Sequence, residues 1–127
     1  MNFYIASSFK NVDNVRFVAK ALESSGFKQT YDWTNHSKVD SISNLRIIGQ
    51  EEMAAVLGAD VVIVMMPAGN GSHVELGIAL GSKKKIYLYS PTDEFNDIET
   101  TSTFYHLSEV KQCIGPLEEL ISIVSSS

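Results

Sequence analysis

A glutamate follows a glycine-rich turn near the middle of the chain. Residues 67–75 read Pro-Ala-Gly-Asn-Gly-Ser-His-Val-Glu. Glycines in such a turn let backbone N–H groups approach a ligand closely. The start of a helix after the turn would add unpaired N–H donors and a partial positive charge. A phosphate or a sugar hydroxyl could bind there, contacted by Gly69, Asn70, Gly71, Ser72 and His73.

Glu75 itself has two interpretations. Ser72 and Glu75 have the spacing of a capping box, in which Glu75 would bond back to the first turn of its own helix. Alternatively, Glu75 is a carboxylate at the mouth of a ligand cleft, available as a nucleophile or a base. Both interpretations need the same oxygen atoms, and the local sequence leaves both open.

The elements that must position this turn alternate between strand and helix about five times. The patterns predict strands at 3–6, 27–33, 60–66 and 85–89, a short fifth strand near 103–107, and helices at 12–25, 45–57, 72–81 and from Pro116 onward. Such alternation is typical of a doubly wound α/β sheet, here a flavodoxin-like, five-stranded parallel sheet in a single domain spanning 1–127. Ligands bind beyond the carboxyl ends of the strands in such sheets, which is where residues 67–75 lie.

Composition excludes several classes of protein. The chain has 127 residues, of which 44% are hydrophobic and 20% charged, as in an ordinary globular domain. Its net charge of -5 argues against general nucleic-acid binding, which needs a basic surface. A small anionic ligand held by backbone N–H groups remains compatible with that charge.

The remaining signals concern location and metals. Cys113 is the only cysteine, so no intrachain disulfide can form. The first residues lack the basic segment of a signal peptide, and the longest apolar run, 61–68, is far shorter than the ~20 residues of a membrane helix. His36, His73 and His106 lack the spacing of a zinc site. We therefore expect a cytoplasmic protein with no membrane partner and no metal or other cofactor.

Several segments in this order resemble the nucleoside 2-deoxyribosyltransferase family. They are the opening Tyr4-Ile5-Ala6-Ser7-Ser8-Phe9, the stretch from Glu51-Glu52-Met53 to Asp60-Val61-Val62-Ile63, the segment Gly71-Ser72-His73-Val74-Glu75-Leu76-Gly77-Ile78-Ala79-Leu80-Gly81, and Lys85-Ile86-Tyr87-Leu88. The third of these is the most specific, because the family carries G-[ST]-x-x-E-L-G-x-A there.

The resemblance implies N-glycosidic chemistry. A glutamate at the position of Glu75 attacks C1′ of a 2-deoxyribosyl group, the base leaves, and the glycosyl ester passes to another base or to water. Glu52 lies where the family has a supporting aspartate, and Tyr4 matches the tyrosine that orients the nucleophile. The resemblance also implies a small nucleoside or nucleotide as substrate and a homodimer or larger homo-oligomer.

Two positions depart from the family pattern. Glu52 has a longer side chain than the usual aspartate, and Gly69 replaces an aspartate that often contacts the base. Hydrolysis of a nucleotide, as in the related deoxynucleoside monophosphate glycosidases, is therefore an alternative to transfer.

Polar and aromatic residues after the first two predicted strands are further candidates for substrate binding. Ser7 and Ser8 could hold a 5′-phosphate or simply cap a loop. Trp33 could stack on a base or cover the sheet edge, and Asp32 lies beside it on the ligand side.

Two other functions fit the same turn. Residues 67–75 also resemble the P-G-G-x-G-T-x-x-E signature of phosphoribohydrolases that act on AMP-type nucleotides, with departures at Ala68 and Ser72. A nucleotide sensor without catalytic activity could use the same fold and loop.

Overall fold

Five parallel strands form one sheet with two helices on each face. The structure is a computed structural model that describes residues 1–35 and 39–127. The elements are β1 (Asn2–Ala6), α1 (Val12–Ser24), β2 (Lys28–Gln29), α2 (Ile42–Gly58), β3 (Val61–Met65), α3 (Asn70–Gly81), β4 (Lys85–Ser90), β5 (Val110–Ile114) and α4 (Leu117–Ser125). The strand order is β2-β1-β3-β4-β5, which confirms the flavodoxin-like fold.

The central strands are largely apolar because helices cover both faces of the sheet. Every residue of β3 is buried, as are four of the five in β1. Ala6 pairs with Val64, and Met65 pairs with Tyr89, so the carboxyl ends of the three central strands lie together at one edge of the sheet. Helix α1 packs with α4, and α2 packs with α3.

The predicted second and fifth strands differ from those in the structure. β2 has two residues rather than the seven of 27–33, because the chain after Gln29 turns into the 3₁₀ helix Trp33–Asn35. The fifth strand predicted near 103–107 is wrong. That segment is the 3₁₀ helix Thr103–His106, in which Tyr105 is buried against the ring of Phe95. β5 lies further along the chain, where the adjacent polar residues Lys111 and Gln112 on an edge strand interrupt the hydrophobic signal.

Two predicted helices begin earlier in the structure than their apolar patterns suggest. α2 starts at Ile42 rather than at 45, since the Ser41 hydroxyl caps it by accepting from the Asn44 N–H at 3.1 Å. α3 starts at Asn70 rather than at 72. Residues 36–38, between the predicted strand at 27–33 and the predicted helix at 45–57, lie outside the described residues. Among the residues described, no helix has both the length and the apolarity to cross a membrane.

Candidate active site

A cavity of about 700 Å³ lies at the carboxyl ends of β1 and β3. The strand order reverses at this point, and doubly wound sheets bind ligands there. The lining comes from the loop after β1, the turn after β2, helix α2 and the start of α3: Ser7, Ser8, Phe9, Lys10, Trp33, Val39, Leu45, Ile48, Glu52, Gly69, Asn70, Gly71, Ser72 and Glu75.

Tyr4, Glu52 and Glu75 meet at the base of this cavity. The Tyr4 hydroxyl donates to Glu75 Oε2 at 2.7 Å and lies 3.4 Å from Glu52 Oε2. Each residue comes from a different element: Tyr4 from β1, Glu52 from α2 and Glu75 from α3. The structure therefore brings together the three residues predicted as catalytic, although they are far apart in sequence.

Helical spacing turns Glu75 toward the sheet. The buried residues of α3 are Ser72, Glu75, Leu76 and Ala79, which fall on one face at intervals of three and four. A carboxylate on such a face is unusual, since charged side chains are rarely buried without a partner. The hydroxyl of Tyr4 is that partner.

The capping-box interpretation of Ser72 and Glu75 is wrong. Gly69 is the N-cap of α3, and its N–H donates to Ser72 Oγ at 3.2 Å, so Ser72 is the third helical residue. The helix begins one position after Gly69, which places Glu75 almost a full turn beyond the N–H groups that a cap satisfies. The carboxylate of Glu75 is consequently free to face the cavity.

Burial dominates the electrostatics of this cluster. Glu75 is 7% exposed, and its pKa is raised from 4.5 to about 8, chiefly because burial removes water from the carboxylate. Within this net rise, the hydrogen bond from Tyr4 lowers the pKa and the negative charge of Glu52 raises it. The pKa of Tyr4 is raised far above its usual value by burial and by Glu75, so this phenol stays protonated and acts as a donor.

The two serines after β1 have different hydrogen-bonding capacity left for a ligand. Ser7 Oγ donates its proton to the carbonyl oxygen of Met65 at 2.8 Å, so Ser7 offers a ligand only acceptor capacity. Ser8 Oγ accepts from the Lys10 N–H at 3.2 Å, and its own proton has no acceptor among the described residues. Ser8 can thus donate to an anionic group in the cavity.

Trp33 contributes a fixed apolar surface. Its indole Nε1 donates to the carbonyl oxygen of Ile5 at 2.6 Å, and its ring lies edge-to-face with Phe9 at 5.2 Å between centroids. Asp32 does not line the cavity. Its Oδ1 accepts from the N–H of Thr34 at 2.9 Å and its Oδ2 from Asn35 at 2.9 Å, so this carboxylate stabilises the turn that carries Trp33.

The turn before α3 lines one side of the cavity through Gly69, Asn70, Gly71 and Ser72. The first turn of a helix has N–H groups without partners inside the helix, which suits an oxygen-rich ligand. His73 points elsewhere. Its Nδ1 contacts the Gly69 carbonyl oxygen at 2.9 Å, and its Nε2 contacts the Tyr105 hydroxyl at 2.5 Å.

Several lining residues were not predicted from the sequence. Phe9 and Lys10 lie in the loop after β1, so the rule that ligands bind after strand ends points to them as well. Leu45 and Ile48 lie at intervals of three and four from each other and from Glu52, and therefore share one face of α2 with it. That spacing was the available signal for an apolar wall beside the carboxylates.

Metal ligands are not clustered in the part of the chain that the structure describes, where no group of three or more His, Cys, Asp or Glu side chains could hold an ion. His36, one of the three histidines considered for a zinc site, lies outside the described residues. His106 contacts Thr101 and Gln112 near the surface.

The fold and the site define a flavodoxin-like domain with a cleft where the strand order reverses. A buried carboxylate that is hydrogen-bonded to a tyrosine lies in this cleft. The family model "Nucleoside 2-deoxyribosyltransferase" matches residues 3–107, and the chain belongs to this family. Members of the family are enzymes that act on the N-glycosidic bond of small nucleoside or nucleotide substrates.

One solved structure shows how far the fold similarity extends. The CMP N-glycosidase BcmB of Clostridium botulinum is similar to this chain with a TM-score of 0.68, 17% sequence identity and coverage of 100% of both chains. At that identity the likeness concerns the fold. No curated protein sequence matches the chain significantly.

Proposed function

We propose that this protein cleaves the N-glycosidic bond of 2-deoxynucleosides or their 5′-monophosphates, with Glu75 as the nucleophile. The observation that carries the proposal is the buried Glu75 carboxylate, hydrogen-bonded to Tyr4 and facing a cavity at the switch point of the sheet. Family membership supports the class of reaction. The product sugar passes to water or to a second base.

In the first step, a Glu75 oxygen forms a bond to C1′ while the bond between C1′ and the base nitrogen breaks. The base leaves with the electron pair and takes a proton from water, while the negative Glu52, which shares the Tyr4 hydroxyl with Glu75, lies beside the reacting sugar. The transition state carries positive charge on the sugar, which an adjacent carboxylate stabilises. Tyr4 orients the attacking carboxylate by holding its Oε2.

In the second step, water or an acceptor base attacks C1′ from the face that the first base has left. Glu52 accepts the proton of the attacking group, and the bond between C1′ and the Glu75 oxygen breaks. Two displacements at one carbon retain its configuration. Glu75 then returns to the carboxylate form.

The two ends of the cavity differ in chemistry, which supports an orientation for the substrate. Ser8, Lys10 and the first turn of α3 supply donors and one cation for a sugar or a 5′-phosphate. Trp33 and Phe9 supply aromatic surface for a base, and such stacking contributes about 1–3 kcal/mol per base. The indole N–H is already bonded to Ile5, so Trp33 recognises the base by stacking alone.

The test uses chromatography to measure how much free base the purified protein releases from added substrates. Substrates are deoxynucleosides, deoxynucleoside monophosphates, and the ribonucleotides AMP and CMP. Glu75→Gln keeps the shape of the side chain but removes the nucleophile, and Glu118→Gln is the matched control on α4, outside the cavity lining. We expect turnover of deoxy substrates that is lost in Glu75→Gln and kept in Glu118→Gln.

Other results would select another function. Turnover restricted to ribonucleotides would favour a phosphoribohydrolase, and CMP belongs in the panel because the similar fold of BcmB is that of a CMP N-glycosidase. Tight nucleotide binding without base release would favour a sensor. Turnover equal in Glu75→Gln and wild type would remove the catalytic assignment of Glu75.

We further propose a cytoplasmic homodimer or larger homo-oligomer. Met53 and Leu57 on α2 and Val74 on α3 are large apolar side chains exposed by 49%, 49% and 64%. Burying such side chains in an interface is favourable. Sedimentation velocity would measure the oligomeric state, and a monomer at assay concentrations would contradict this part of the proposal.

A further inference from the structure

Asn11 is a buried polar side chain between the two loops that border the cavity. It is 8% exposed and lies just before α1. One of these loops follows β1 and the other follows β3. Asn11 does not line the cavity itself, so its burial needs another explanation.

The amide of Asn11 uses both of its N–H protons to join these loops. Nδ2 donates to Ser7 Oγ at 3.1 Å and to the carbonyl oxygen of Met66 at 3.2 Å. Ser7 Oγ in turn donates to the Met65 carbonyl oxygen at 2.8 Å. We call Asn11, Ser7 and the carbonyl groups of Met65 and Met66 the loop clamp.

A backbone hydrogen bond closes the same junction. The N–H of Ser8 donates to the carbonyl oxygen of Pro67 at 3.0 Å. Buried polar groups are costly unless they are paired, so a fully bonded amide favours one arrangement of the two loops over others.

The loop clamp connects the two sides of the proposed reaction. The loop after β1 presents Ser8, Phe9 and Lys10 to the cavity. The loop after β3 leads into α3, which carries Glu75. The spacing between these loops therefore sets how far a substrate held by the first loop lies from the Glu75 carboxylate on α3.

We propose that Asn11 is a positioning residue that holds the substrate-contacting loop in register with Glu75, an inference that rests on the proposed function. Asn11 acts through Ser7 and the carbonyl groups of Met65 and Met66, without touching the substrate. Displacement of reacting groups by about 1 Å can lower a rate by about a hundredfold.

Asn11→Asp is the sharpest variant because it has nearly the same shape. The carboxylate keeps an acceptor for Asn14, whose Nδ2 donates to Asn11 Oδ1 at 2.9 Å. It loses both donated hydrogen bonds and places a charged oxygen opposite the Met66 carbonyl oxygen. Asn14→Ala is the matched control, since it removes a hydrogen bond to Asn11 but neither contact between the loops.

The experiment measures kcat and KM for base release together with amide hydrogen exchange. The Ser8 amide reports on the junction between the loops, and the Ile63 amide at the centre of β3 reports on global unfolding. For Asn11→Asp we expect kcat to fall about a hundredfold with KM changed less than about threefold. The Ser8 amide should exchange at least about tenfold faster while Ile63 is unchanged.

Asn14→Ala should leave kcat and both exchange rates near wild type. If Asn11→Asp does not fold, Ser7→Ala takes its place, because it removes the hydroxyl of the clamp with little change in volume. Equal acceleration of exchange at Ser8 and Ile63, or wild-type exchange at Ser8, would overturn the proposal. If the wild type releases no base from any substrate, the proposed function fails, and the Ser8 exchange rate still decides whether Asn11 holds the loops together.

Discussion

Replacing Tyr4 with phenylalanine tests how the site keeps Glu75 reactive. The variant keeps the ring that packs in the core and removes only the hydroxyl that donates to Glu75 at 2.7 Å. The pKa of Glu75 is raised to about 8, mainly by burial, and this net value already includes the lowering effect of the hydrogen bond from Tyr4. Loss of the hydroxyl therefore raises the pKa of Glu75 further.

The size of the effect follows from two numbers. With a pKa of about 8, roughly a tenth of Glu75 is ionised at neutral pH. A hydrogen bond to a charged group contributes about 1.5–3 kcal/mol, which corresponds to roughly one to two pKa units. The ionised fraction at neutral pH should then drop about 10- to 100-fold in Tyr4→Phe, and kcat/KM should drop with it.

The assay is the pH dependence of kcat/KM between about pH 5 and pH 10, which reports ionisations in the free enzyme. A nucleophilic Glu75 must be ionised, so wild-type activity should rise with pH through about 8. In Tyr4→Phe this rise of kcat/KM should occur at higher pH. A wild-type rate that falls as pH rises through this range would identify Glu75 as a general acid and refute the assignment. If kcat/KM of Tyr4→Phe rises over the same pH range as that of the wild type, the role given to the hydroxyl is refuted.

The remaining predictions concern stability. Folding raises the pKa of Glu75 above 4.5, so the free energy of unfolding of the wild type should fall relative to that of Glu75→Gln as pH rises from 4.5 to about 8. The expected fall is on the order of 3–5 kcal/mol, measured by urea unfolding. An equal difference at both ends of that range would contradict the burial of this carboxyl. Ser72→Ala removes the acceptor of the Gly69 N–H and should lower the free energy of unfolding by about 1 kcal/mol. An unchanged free energy of unfolding would show that water takes the place of the hydroxyl as acceptor. Gly115→Ala should destabilise the protein by about 1 kcal/mol or more, because Gly115 has φ of +134°. Gly49→Ala in α2 should stabilise it by up to about 1 kcal/mol, because an added Cβ there meets nothing within 4 Å. Thermal unfolding of the pair checks the opposite signs.

The layered fold could be predicted from the sequence because its central elements carry strong local signals. The apolar run of β3 and the helical periodicity of α1 are visible without any long-range information. β5 gave a weak signal because Lys111 and Gln112 lie on an exposed edge of the sheet. The aromatic segment Thr103–His106 looked like a strand, yet its buried Tyr105 packs in a 3₁₀ helix.

The identity of the central site residues could be predicted from the family resemblance, but their contacts could not. The position of the N-cap of α3 decides whether Glu75 caps the helix or faces the cavity, and the N-cap is Gly69, three residues before Ser72. The sequence leaves open whether Ser7 holds a phosphate or caps a loop. Its hydroxyl donates to the carbonyl oxygen of Met65, a residue 58 positions away, which no local pattern reveals.

Trapping the glycosyl-enzyme intermediate tests the central claim most directly. Wild-type protein and Glu75→Gln are incubated with a deoxynucleoside monophosphate that the wild type turns over, quenched in acid, digested and analysed by mass spectrometry. We predict a deoxyribosyl phosphate adduct on the peptide that contains Glu75, at Glu75 itself, and no adduct in the variant. An adduct on another side chain, or undiminished turnover by Glu75→Gln, would contradict nucleophilic catalysis by Glu75.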